Sequence, residues 1–124
     1  MKRNITTVIG VAALLATFAF AQDTRVIRTA SMTGSGSGKA KHKLRIKNNE
    51  TQVEFEMEAE DLKPNSTYNL QVSNWASITV LSNNFGSLSV ERRWTVAPFP
   101  AVNPGDSITL TNGAGDTVLS GTFH

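Results

Sequence analysis

The chain has 124 residues, with 12 Lys and Arg against 10 Asp and Glu, two histidines and no cysteine. The absence of cysteine excludes disulfides, thiol catalysis and cysteine-ligated metal sites. Lys2 and Arg3 account for the net positive charge; without them ten basic and ten acidic residues cancel, and no basic footprint for nucleic acid remains.

Residues 1–21 read as a secretory signal peptide. Lys2 and Arg3 form a positive n-region, residues 8–20 form an apolar stretch, and Ala19-Phe20-Ala21 is a small-x-small cleavage site. The apolar run is shorter than the roughly 20 residues of a spanning helix, so no membrane span is expected after cleavage. Cleavage after Ala21 leaves a mature chain of 103 residues beginning at Gln22, enough for one domain with one core. The expected location is secreted or periplasmic.

Residues 22–33 form the first strand segment, with Val26, Ile27, Ala30 and Met32 as its apolar members. Residues 34–38, Gly-Ser-Gly-Ser-Gly, read as a flexible linker to a domain spanning residues 39–124. A strand tethered in this way has two uses: it pairs within its own sheet, or it pairs with a neighbouring molecule by strand exchange or donation.

Residues 39–47 alternate strictly. Lys39, Lys41, Lys43, Arg45 and Lys47 share one face, and Ala40, His42, Leu44 and Ile46 the other. Residues 52–59 repeat the pattern with Glu54, Glu56 and Glu58 against Val53, Phe55, Met57 and Ala59. Period two means two half-buried strands. A four-residue loop over residues 48–51 pairs Ile46 with Val53 and places Arg45 opposite Glu54, Lys43 opposite Glu56 and Lys41 opposite Glu58. A shift of two residues also keeps cation opposite anion and stays open. Either way the charge run is a solvated face that neutralises itself, each cross-strand pair contributing roughly 0.2–1 kcal/mol. A charged docking surface is the competing reading.

Residues 61–74 carry the most specific local signal. Leu62-Lys63-Pro64-Asn65-Ser66-Thr67-Tyr68-Asn69-Leu70-Gln71-Val72 resembles the L-x-P-x-x-x-Y-x-[VL]-x-V stretch of fibronectin type III and other immunoglobulin-like modules, and its L-x-P-x-x-x-Y turn is similar to one in transthyretin-like and superoxide-dismutase-like secreted domains. The resemblance implies a Greek-key β-sandwich in which Tyr68 is a tyrosine corner and Leu62, Leu70 and Val72 are core. It covers eleven residues and departs from the fibronectin pattern elsewhere: no Trp precedes Tyr68, and 56 residues follow it.

Residues 77–81 and 87–90 read as strands of a hairpin around the turn 82–86, with residues 91–96 as a continuation. Pro98 and Pro100 break the ladder, since proline donates no hydrogen bond. Asn103-Pro104-Gly105-Asp106 is a tight turn. Residues 107–111 and 117–123 are the last strands, joined through the Gly-rich turn 112–116. The sum is an all-β chain: a single Greek-key β-sandwich of about seven to eight strands.

No catalytic constellation is present in the sequence. There is no G-x-S-x-G elbow, inward-facing His42 has no carboxylate in pattern with it, and the two histidines, His42 and His124, fall short of the ligand set of a copper or zinc site. The expectation is a non-enzymatic structural or adhesive module without metal or cofactor. Trp75, Arg92, Arg93 and Trp94 are the ligand-binding candidates, with Phe99 beside them, because Trp and Arg are enriched among interface anchors and an exposed Trp stacks on sugars. The possible partners are a protein, a glycan or a second copy; the rival role for both Trp residues is core.

Overall fold

The computed structural model describes residues 23–124; the signal-peptide reading of residues 1–21 lies outside them, as does Gln22. The strands in chain order are β1 (Asp23–Gly34), β2 (Ser37–Lys47), β3 (Glu50–Glu60), β4 (Thr67–Val72), β5 (Ile78–Leu81), β6 (Leu88–Trp94), β7 (Ser107–Asn112) and β8 (Thr117–Thr122). The described residues contain no helix, and therefore none long and apolar enough to cross a membrane.

The all-β class holds. All eight strands belong to one antiparallel sheet in the order β5-β4-β7-β8-β1-β2-β3-β6, which rolls up in a barrel-like manner around one core. The two-sheet sandwich expected from the sequence is thus replaced by a continuous ladder. Its seam is short, with Met32, Thr33 and Gly34 of β1 facing Gly121, Ser120 and Leu119 of β8. Glycine is required there: a Cβ on Gly34 would collide with the Val118 carbonyl, and one on Gly121 with the Ser31 carbonyl.

Alternation supplies the core directly. Ala30 and Met32 of β1, Ala40 and His42 of β2, Val53, Phe55, Met57 and Ala59 of β3, and Leu88 and Val90 of β6 are buried. Leu70, Val72, Ile108, Leu110 and Leu119 face them from the other half of the sheet, with Phe123 just beyond β8. Burying one such side chain stabilises the fold by about 1.5–3 kcal/mol.

Three local expectations need correction. The Gly/Ser stretch 34–38 is no flexible linker: it comprises the end of β1, the two-residue turn Ser35-Gly36 and the start of β2, and β1 pairs with β2 from Asp23↔Lys47 to Thr33↔Ser37. With Ala30 3% and Met32 1% exposed, β1 is integral to the domain. The β2–β3 loop has two residues rather than four. Asn48 and Asn49 adopt φ of 53° and 65°, as a type I′ turn demands, and Asn tolerates that region. The register is therefore shifted by two, with Lys43 opposite Glu54, Lys41 opposite Glu56 and Leu44 opposite Val53. Finally, β5 and β6 do not form a hairpin. β5 pairs with β4 and β6 with β3, so the loop 82–87 links the two outermost strands of the sheet.

Candidate functional site

Cross-strand register places Arg28 of β1, His42 of β2, Phe55 of β3 and Arg92 of β6 in one row of the inner face. The next row outward is Val26, Leu44, Val53 and Trp94. Trp75, from the loop after β4, packs onto both rows: its ring centroid lies 5.8 Å from His42, 5.2 Å from Phe55 and 5.5 Å from Trp94. Its Nε1–H donates to the Ala101 carbonyl at 2.9 Å. The two edge-on contacts have the geometry favoured by aromatic quadrupoles.

His42 is the buried titratable group of this cluster. Its Nε2–H donates to the Pro100 carbonyl at 2.9 Å. Burial pushes its pKa below the ordinary value, the Pro100 bond pulls it back up, and the nearby Arg28 charge lowers it again. The ring ties down the chain at Pro100. Among the described residues no carboxylate is hydrogen-bonded to His42.

The sequence candidates separate. Trp75 and Trp94 come together, but as part of a packed aromatic cluster over the core. Arg92 lies on the inner-face row at the exposed rim, whereas Arg93 points to the outer face, where it meets Glu54 at 3.3 Å. The four residues therefore form no single surface. Tyr68 is buried and its hydroxyl accepts the Lys63 N–H at 3.0 Å, with Leu62 buried beside it. Ser82, also buried, holds the same segment through a 2.6 Å bond from its Oγ to the Lys63 carbonyl.

On the outer face the cationic strand β2 lies directly beside the acidic strand β3. Glu54 is bracketed by Lys43 at 3.7 Å and Arg93 at 3.3 Å, and Asp23 holds Arg25 and Arg45, each at 3.3 Å. These half-exposed pairs are worth little individually. Among the described residues no group of three or more potential ligand side chains is placed to hold a metal ion.

One feature had no flag in the sequence reading, and another was foreseen there only as a strand able to pair with a neighbour. The first is Arg28, inward by its parity with Val26, Ala30 and Met32, with a buried Nε that has no hydrogen-bond partner. A charge at an inward position of an alternating strand was the available signal. The second is the outer edge of β1. Its neighbour β8 reaches only residues 32–34, and beyond that the His124 N–H bonds to the Thr29 carbonyl. In an antiparallel ladder alternate residues point their backbone groups to opposite sides. Ile27 and Arg25 share the parity of Thr29, so their N–H and C=O groups point away from β2, and no described strand pairs with them.

No protein-family model and no curated protein matches this chain.

Proposed function

We propose that this chain is an exported, non-catalytic β module with a structural role, built into an assembly by pairing at the free edge of β1. The observation that carries this reading is the unpaired stretch of residues 23–28 on a strand whose other edge is fully paired. Exposed strand edges are templates for a further strand, and proteins that do not use them usually cover or shorten them. Ile27, 48% exposed on the outer face beside that edge, adds apolar surface.

The partner is a second copy, related by a two-fold axis. Alternation admits only registers that match faces. The register centred on Val26 puts Arg25 opposite the copy's Ile27 and Thr24 opposite its Arg28, with no like charges facing. The register centred on Arg25 sets two guanidinium groups against each other and is disfavoured. Because Ala30 and Met32 sit in the core, the contact is edge addition rather than exchange of β1.

Export rests on the leader-like pattern of residues 1–21. Kinship with Greek-key modules is part of the proposal. It is supported by the Leu62–Tyr68 corner and by three connections, β3 to β4, β5 to β6 and β6 to β7, that pass between the two halves of the sheet. The test is the solution mass of the exported form beside that of its Ile27→Pro variant. A monomeric exported form, or a multimer indifferent to the proline, overturns the reading.

A further inference from the structure

An open groove of about 810 Å³ lies at the tip of the β2–β3 hairpin, walled on its far side by the segment that follows β6. Lys47, Asn48, Asn49, Gln52, Thr95 and Phe99 are among its lining residues. The volume falls within the roughly 300–1,000 Å³ of small-molecule sites. The groove shares no residue with the β1 edge.

The chemistry of the walls selects a ligand class. Asn48, Asn49 and Gln52 carry primary amides, each able to donate and accept at once, and Thr51 and Thr95 add hydroxyls that do the same. Charge is mixed, with Arg45 and Lys47 on one side and Glu50 on the other, so no single sign dominates. Phe99 and Val96 supply the apolar wall, Phe99 half-buried and Val96 largely exposed. A surface of paired donors and acceptors beside an aromatic wall matches a ligand whose hydroxyls both donate and accept and whose C–H faces are apolar. Parts of the site are held in advance, which lowers the entropy cost of binding. Gln52 Nε2 donates to Glu54 at 2.6 Å, Arg45 is tied to Asp23 at 3.3 Å, and the type I′ turn fixes the backbone from which the two asparagine amides project.

From these features we infer that the groove between the β2–β3 turn and residues 95–99 binds a short, uncharged saccharide, with Phe99 as the stacking wall and the amides of Asn48, Asn49 and Gln52 reading its hydroxyls. The Arg45–Asp23 ion pair links the site to β1, but its test is separate from that of the β1 edge.

The experiment is a titration of the isotope-labelled exported form with maltotriose, cellotriose and triacetylchitotriose, followed by amide shifts in two-dimensional NMR. With at least one of the three, saturable shifts are expected at the side-chain amides of residues 48, 49 and 52 and at the backbone of residues 95–99. The expected Kd is on the order of 1 mM, typical of a shallow site with few contacts. Phe99→Ala and Gln52→Ala should each weaken binding about fivefold or more while leaving the remaining spectrum in place. Asn49→Asp, at an exposed turn, gives a second readout if Phe99→Ala disturbs the fold. The inference is overturned if none of the three sugars gives a saturable shift at about ten times that Kd. It is equally overturned if the shifts centre elsewhere, or if they survive the Gln52 and Asn49 substitutions.

Discussion

Removing the Tyr68 hydroxyl tests how the chain turns from β3 into β4. Lys63 is gripped on both sides of its backbone: its N–H donates to the Tyr68 hydroxyl at 3.0 Å, and its carbonyl accepts from Ser82 Oγ at 2.6 Å. Ser82 Oγ also accepts the Ser66 N–H at 2.9 Å, so one buried hydroxyl serves two backbone groups. Tyr68→Phe deletes a single bond whose freed N–H belongs to an exposed residue that water can reach, so the expected cost is about 1 kcal/mol. Ser82→Ala deletes two bonds at a site 1% exposed, and the expected cost is about 2–3 kcal/mol. Both substitutions release the same segment. The double variant should therefore lose less than the sum of the two, by about 0.5–1 kcal/mol. Urea unfolding followed by Trp fluorescence measures all three, with the midpoint shifting at constant slope. In a domain of about 100 residues each 1 kcal/mol should also lower Tm by about 4–8 °C. A Tyr68→Phe variant within about 0.3 kcal/mol of the parent, or strict additivity, refutes the picture of a corner pinned by two hydroxyls.

Three further outcomes follow from the same geometry. Burial and the Arg28 charge keep the folded pKa of His42 below its unfolded value of about 6.5 despite the Pro100 bond, so the unfolded chain takes up the proton first. That stability is present above the unfolded value and is lost as pH falls through the folded one; urea midpoints should drop from about pH 7.5 to about pH 5.5, and His42→Gln should flatten that dependence. Arg28→Met keeps the inward stem while removing the unpartnered Nε, and should raise stability by about 1 kcal/mol; a loss of similar size would show that the guanidinium has a stabilising role. Asn49→Gly, at φ 65° in the type I′ turn, should stabilise by up to about 1 kcal/mol in thermal unfolding, and a destabilised variant would contradict the turn assignment.

Much of the fold was legible because its strands alternate so regularly. The inward sets Ala40/His42 and Val53/Phe55/Met57 can be read from the order of residues, and both are buried. The register between them was not legible, because a shift of two residues leaves every side chain on its own face and still sets most of the cations opposite anions. The deciding fact was the turn, where two asparagines adopt positive φ. The link from β5 to β6 misled for a different reason: a short loop between two strands suggests a hairpin, yet this one bridges the ends of a rolled sheet. The Gly/Ser stretch has the composition of a linker, but its glycines are set by close backbone approach, Gly34 to Val118 at the seam and Gly36 and Gly38 to Glu60 and Glu58 of β3, which sequence alone does not display. At the candidate site, Trp75 and Trp94 were recognisable as large aromatics. The packing of Trp75 against His42, Phe55 and Trp94 depends on contacts between residues distant in the chain, as does the groove that joins Asn48 to Phe99.

The most direct test of the assembly claim is light scattering on residues 22–124, the chain that the proposed signal cleavage would leave, across concentrations up to several hundred micromolar. An edge contact of a few residues per copy is small, so association should be weak and concentration-dependent, with a Kd on the order of 100 µM. The Ile27→Pro chain should remain monomeric throughout while unfolding at nearly the same urea concentration. The N–H it removes points away from β2 and takes no part in the β1–β2 ladder. Arg25→Pro, at the same parity, should behave alike and covers the case in which one proline perturbs the strand. The account predicts a dimer that both prolines abolish. A chain that stays monomeric at every concentration, or a dimer that persists with a proline at both positions, would contradict it.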